Sequence, residues 1–172
     1  LCSALDMTVL ATRRSVKTAV STPDVTIYPP TALPKLLPQA SALIITLPLT
    51  HETQDLITQT ELDLLPQPSV LINIGRATIV NEKALYEALA AKQLAAAGLD
   101  VWYQYPKDAA ARSNTAPSRF PFHELDNVLL SPHRAGHAIE PPQLRMSHLA
   151  PLLTAAALGQ PIPNRVDLAL GD

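Results

Sequence analysis

Residues 69–89, SVLINIGRATIVNEKALYEAL, read as a strand, a polar turn and a helix in direct succession. The run 69–74 is mostly apolar instead of alternating, the pattern of a strand in a parallel sheet covered on both faces. Beyond the turn, Ala84, Leu85, Ala88 and Leu89 recur at helical spacing within 81–94, and Asn81 stands where an N-cap belongs. One residue breaks the pattern. Arg76 sits where the apolar strand ends, although arginine is among the residues least often buried without a partner.

Working outward, the runs 8–12, 25–28, 42–47, 96–101 and 127–130 are further strand candidates, separated by segments long enough for crossover connections. Repeated strand, crossover, strand units predict an α/β fold, a Rossmann-like doubly wound parallel sheet. Residues 105–122, YPKDAAARSNTAPSRFPF, have the proline and serine content of a loop and no apolar period, which makes them an irregular insertion. The stretch 139–167 reads as one long helix with prolines near its start, closed by Gly159 and Pro161.

The 172 residues suffice for one buried core. Hydrophobic residues make up 47% of the chain but fall in short runs, none near the ~20 residues a membrane-crossing helix needs. A formal charge of −2 without a basic stripe argues against nucleic acid as a partner. The single cysteine, Cys2, excludes an internal disulfide and a cysteine-based metal cluster, and it fits a reducing, cytoplasmic compartment. The opening LCSALDMTVLATRRS reads as the tail of a helix entering a strand, so a truncated start is expected.

In open parallel sheets ligands bind outside the carboxyl ends of the strands. There the sequence places Arg76 after 69–74, Asp100 at the end of 96–101, and Ser131, Pro132 and His133 after 127–130. Singly, each has an ordinary structural explanation. Together they predict a site for an anionic or polar substrate, with a histidine able to exchange a proton near neutral pH.

The ordered motifs ALIITLPLTHETQDLI, LINIGRATIVNEKALYEAL, AAAGLDVW and LDNVLLSPHRAG, with GQPIPNRVD near the end, resemble the nucleotide-binding domain of the D-2-hydroxyacid dehydrogenases. The resemblance implies hydride transfer between NAD(P)H and a small 2-keto or 2-hydroxy acid, with glyoxylate or hydroxypyruvate as the model substrate, and a homodimer. It casts Arg76 as the binder of the substrate carboxylate, buried in that role, and His133 as the proton donor and acceptor. Asp100 would hold the nicotinamide carboxamide, and Leu47, Pro48, Ile74, Gly75 and Gly136 would line the cofactor. No metal is implied. Residues 1–140 would form the nucleotide-binding domain, and 141–172 a C-terminal helix and tail returning toward a substrate domain.

Three departures from the family pattern stand out. Its third catalytic residue, a glutamate five positions after the aspartate, is replaced by Tyr105, which can orient an imidazole but carries no charge at neutral pH. Glu124, Asp126 and Glu140 are the acids that could stand in, surface positions being the expectation for each. Where NAD-using relatives end the second strand with an acid, this chain has Arg13 and Arg14, which favours NADP over NAD. No G-x-G-x-x-G occurs, so the first strand and its phosphate-binding turn are expected to precede Leu1. A rival reading is a regulatory NAD(P)-binding protein of the same fold with impaired chemistry. Another, a relative of the formate dehydrogenases, draws on DVWYQYP, but that subfamily carries glutamine where Tyr105 stands.

Overall fold

The computed structural model describes residues 2–136, 141–163 and 165. Among the described residues seven strands form two sheets. The smaller contains β1 (Leu10–Thr12), β2 (Val20–Ser21) and β3 (Thr26–Tyr28) in the order β1-β3-β2. β1 pairs with β3 in parallel and β2 pairs with β3 antiparallel. The larger sheet, β4 (Ala42–Ile45), β5 (Val70–Asn73), β6 (Ala96–Leu99) and β7 (Val128–Leu130), is parallel throughout and keeps chain order. Each strand expected from the sequence is present, shortened at its ends. The two-residue β2 escaped the sequence reading because it is exposed and has no apolar pattern.

Two short helices, α1 (Leu33–Leu36) and α2 (Gln59–Leu62), precede α3 (Glu82–Ala90). Asn81 caps α3 as expected, its side chain accepting a bond from the Ala84 N–H at 3.1 Å. Ala84, Leu85, Ala88 and Leu89 carry the apolar stripe of α3 into one core with Leu62, Leu71, Leu94, Ala97 and Leu99. Each buried leucine there contributes about 1.5–3 kcal/mol relative to exposure.

The expectation that both faces of the large sheet are covered needs correction. Ile44, Ile72, Gly98 and Leu129 stand in register across the four strands, and Ile44, Ile72 and Leu129 are 48%, 36% and 76% exposed. Apolar residues occupy both sides of these strands, but α2 and α3 supply only one covering layer. The alternation absent from the residue types therefore appears in their burial, with Leu71 and Ile45 inside and their neighbours out.

Among the described residues neither β1 nor β4 has a second strand partner, and residues of both line a cavity of about 370 Å³ between the sheets. The long helix is α4 (Pro141–Ala157), with Pro151 inside it. Gly159 ends it at φ +64°, where Gly159 N–H bonds Ala156 C=O and Gln160 N–H bonds Ala155 C=O. That pair of bonds closes a helix C-terminus on a left-handed residue, the role glycine fills without strain. Between β6 and β7 the insertion carries only short 3-10 turns, at Ala110–Ser113 and Phe122–Glu124.

Candidate active site

Parallel pairing puts the carboxyl ends of β4 to β7 on one rim. Asn73, Leu99 and Leu130 occupy one register row, so Arg76 and His133 each lie three residues beyond the same row on strands separated only by β6. Two strand spacings amount to about 10 Å. Asp100 follows Leu99 between them.

Arg76 is held at this rim by its own turn. The buried Asn73 side chain accepts a bond from Gly75 N–H at 3.1 Å and donates one to Arg76 C=O at 3.1 Å. A Cβ on Gly75 would lie 2.7 Å from Leu47 O, so only glycine lets the end of β5 pass this close to the chain leaving β4. The Arg76 guanidinium donates to Gly75 C=O at 2.7 Å. Its side chain is exposed, which corrects the expectation of a buried arginine. Guanidinium at a sheet rim with its outer donors toward solvent needs no buried counter-charge, and this removes the puzzle that an apolar strand ends on arginine.

Asp100 is 6% exposed and organises the turn that carries His133. Its Oδ1 accepts from Ser131 Oγ at 2.6 Å and Arg134 N–H at 2.7 Å, and its Oδ2 from Ala135 N–H at 2.9 Å. Burial works to raise its pKa, but these bonds and the neighbouring His133 outweigh it and hold the carboxyl below its ordinary 3.8. His133 adopts φ +55°, a left-handed conformation uncommon outside glycine, at the middle of the turn Asp100 clamps.

The Tyr105 hydroxyl lies 2.9 Å from His133 Nδ1 and accepts a bond from Trp102 N–H at 3.1 Å. Trp102 in turn donates its indole N–H to Ser131 C=O at 2.9 Å, tying the start of the insertion to the histidine turn. Tyr105 thus occupies the space an orienting partner of the imidazole needs. None of the acids offered as substitutes among the described residues does so: Asp126 pairs with Lys92 and Glu124 lies beside His123, both on the surface as expected. Glu140 lies outside the described residues.

The other expected residues fall around the same rim or at its flank. Leu47 is half-buried, while Pro48 and Ile74 are exposed beyond β4 and β5; Gly136 is exposed next to the Asp100-bound turn. Arg13 and Arg14 are exposed just past the end of β1 in the smaller sheet. Sequence reasoning missed Asn73 and Trp102. The signal for Asn73 was a polar residue inside an apolar strand, whereas the role of Trp102 depends on a chain segment 29 residues away.

Comparison with known proteins identifies the fold and the family. The family model for the D-isomer specific 2-hydroxyacid dehydrogenase, NAD binding domain, matches residues 1–135. A glyoxylate reductase of Aeropyrum pernix is 38% identical over 137 residues, covering 79% of this chain and 38% of that protein. A glyoxylate reductase of Korarchaeum cryptofilum is 34% identical over 135 residues, covering 78% of this chain and 38% of that protein. The chain therefore spans well under half the length of these curated relatives. Among solved structures, a D-isomer specific 2-hydroxyacid dehydrogenase from Xanthobacter autotrophicus in complex with NADPH superposes with a TM-score of 0.81 at 29% identity, over 99% of this chain and 50% of that one. A Rossmann-like parallel sheet, the ordered rim residues and a family match over 135 residues make one case: this chain belongs to the D-isomer specific 2-hydroxyacid dehydrogenases and carries their NAD-binding domain.

Proposed function

We propose that this chain is the cofactor-binding part of an enzyme that transfers hydride between NADPH and a small 2-keto or 2-hydroxy acid, of the glyoxylate or hydroxypyruvate type. The observation that carries the reading is the Tyr105–His133 hydrogen bond on the rim where Arg76 also stands. A regulatory protein that only binds a nucleotide has no use for an oriented imidazole beside a guanidinium.

The rim has the mixed character a nicotinamide site requires, apolar Leu47 and exposed Ile74 next to charged Arg76. Leu47, Pro48, Ile74, Gly75 and Gly136 would line the cofactor, and Asp100, already committed to three bonds in the turn, would meet the carboxamide with its remaining acceptor capacity. When bound, the nicotinamide supplies or accepts the hydride at the substrate carbon. Arg76 receives the substrate carboxylate in a two-pronged ion pair that fixes the carbonyl toward His133. His133 gives the proton on Nε2 to the carbonyl oxygen in reduction and takes the hydroxyl proton in oxidation.

Tyr105 matters on the far side of the ring. Its oxygen has two lone pairs, one filled by Trp102 N–H. The second can accept His133 Nδ1–H, the arrangement that leaves Nε2 as the atom exchanging the proton. No carboxylate is needed for this orientation.

The preference for NADP rests on Arg13 and Arg14, exposed beyond β1, where a fork of guanidinium groups can pair a ribose phosphate. The NADPH in the Xanthobacter autotrophicus relative supports it. The first strand and its glycine-rich turn would pair in the groove between β1 and β4, and residues 141–172 would lead toward the substrate domain, within a cytoplasmic homodimer.

The test is reduction of glyoxylate, hydroxypyruvate and phenylpyruvate by the full-length protein with NADPH and with NADH. Turnover of one of these 2-keto acids supports the reading. Cofactor binding without turnover on any of them favours the regulatory alternative.

A further inference from the structure

We infer that the Glu82 carboxylate is a positioning residue for the Tyr105–His133 pair, acting through the neck of the 105–116 excursion; the inference rests on reading His133 as the acid–base group.

Glu82 opens α3, only 6% exposed, and an acid in a first helical turn ordinarily does no more than favour the helix dipole. Here its oxygens are taken up by a distant segment. Oε1 accepts from Ser118 Oγ at 2.8 Å and Arg119 N–H at 2.9 Å; Oε2 accepts from Arg119 Nε–H at 2.7 Å and pairs with Arg119 Nη2 at 2.7 Å. Burial opposes the charge, yet these four donors more than offset it and keep the Glu82 pKa below its ordinary 4.5.

The anchored residues are continuous with the arm that bears Tyr105. Pro117 C=O, one residue before Ser118, accepts the N–H groups of Tyr103 at 3.1 Å and Gln104 at 3.0 Å. Those bonds close a neck across which the chain leaves at Gln104 and returns at Pro117. Tyr103 is pinned separately, its half-buried side chain donating its hydroxyl to Val80 C=O at 2.9 Å, two residues before Glu82. Tyr105 is the first residue past the neck, with no regular secondary structure of its own. Its ring is half-exposed and touches the His133 ring, and its hydroxyl meets Trp102 N–H and His133 Nδ1, so the neck, which fixes the backbone just before it, sets how the ring enters those contacts. The segment that follows the Arg76 turn thus carries, in Glu82, the anchor of the neck that bears the imidazole's partner.

The experiment uses full-length protein with 15N-labelled histidine, the His133 signals being assigned with a H133Q variant. The Tyr105→Phe variant should move the His133 ring nitrogen shifts, because it removes the Nδ1 partner. Glu82→Gln and Arg119→Ala should move them the same way, and in the Y105F background neither should move them further. Arg119, with a side chain 72% exposed, serves as the variant that folds if Glu82→Gln does not. In an active enzyme, E82Q should also lower kcat on the order of tenfold with the keto-acid KM unchanged, and the loss should vanish in the Y105F background. Unmoved His133 signals in E82Q and R119A, or equal effects in both backgrounds, or a Y105F variant without effect, would overturn the inference. An inactive wild-type enzyme whose His133 shifts still follow this pattern would sink the proposed function and leave the positioning role standing.

Discussion

The hydroxyl of Tyr105 meets Nδ1 of His133 at 2.9 Å, joining residues 28 apart across the rim of a parallel sheet. A carboxylate in this place would hold the ring and also stabilise its protonated form; a phenol does the first without the second. The consequences for activity and stability can be measured.

Replacing Tyr105 with glutamate adds the missing charge next to the imidazole. In Y105E the pH range over which reduction proceeds should extend upward, because the carboxylate favours the proton-bearing imidazolium. Y105F should lower kcat without that shift. A Y105E profile superimposable on the wild type would refute the argument.

Arg76→Lys keeps a positive charge but loses the planar fork. Each charge-assisted bond contributes about 1.5–3 kcal/mol, so loss of one should raise the keto-acid KM roughly 10- to 100-fold, with cofactor affinity little changed. Steady-state kinetics of R76K with glyoxylate and NADPH would check it.

Gly75 has no room for a side chain. With a Cβ 2.7 Å from Leu47 O, Gly75→Ala must separate the chain ends leaving β4 and β5, at a cost of about 1–3 kcal/mol. Calorimetry should register a fall in Tm of roughly 2–4 °C per kcal/mol. An unchanged Tm would mean that the two chain ends separate without strain.

Asp100 and Glu82 both have folded pKa values held below their ordinary 3.8 and 4.5. The unfolded chain binds their protons more readily, so the stability they supply is complete above the ordinary values and is lost as pH falls through the lowered ones. Urea midpoints should hold steady near neutrality and drop steeply below about pH 4. In Asp100→Asn that drop should be shallower than in the wild type.

Cofactor choice is open to a direct measurement. The double variant Arg13→Ala, Arg14→Ala should lose about 10- to 100-fold in kcat/KM with NADPH and little with NADH, as expected for removing charge-assisted phosphate contacts. A loss equal for both cofactors would move these arginines out of the phosphate site.

Much of the fold was legible in the chain. Runs such as 42–47 and 69–74 are apolar and short, α3 has a clear helical stripe, and Asn81 caps where it should. Arg76, Asp100 and His133 could be placed at strand ends because strand ends can be read from composition. The exposure of Arg76 could not, since it depends on how Asn73 and Gly75 shape the turn. Nor could the bare face at Ile44, Ile72 and Leu129, because residue type records what a surface prefers and not what covers it.

The sequence by itself determined the order of β4 to β7, the helix α3, the parallel larger sheet and the place of Arg76, Asp100 and His133 at its strand ends, for these follow from periodicity and backbone preference within a few residues. Only the tertiary structure decided that Tyr105 reaches His133, that Asp100 shapes the histidine turn and that Glu82 ties the neck of the insertion. Those contacts span some 28 to 37 residues. They arise from strand register and an irregular loop, and neither leaves a local pattern in the residues that make them.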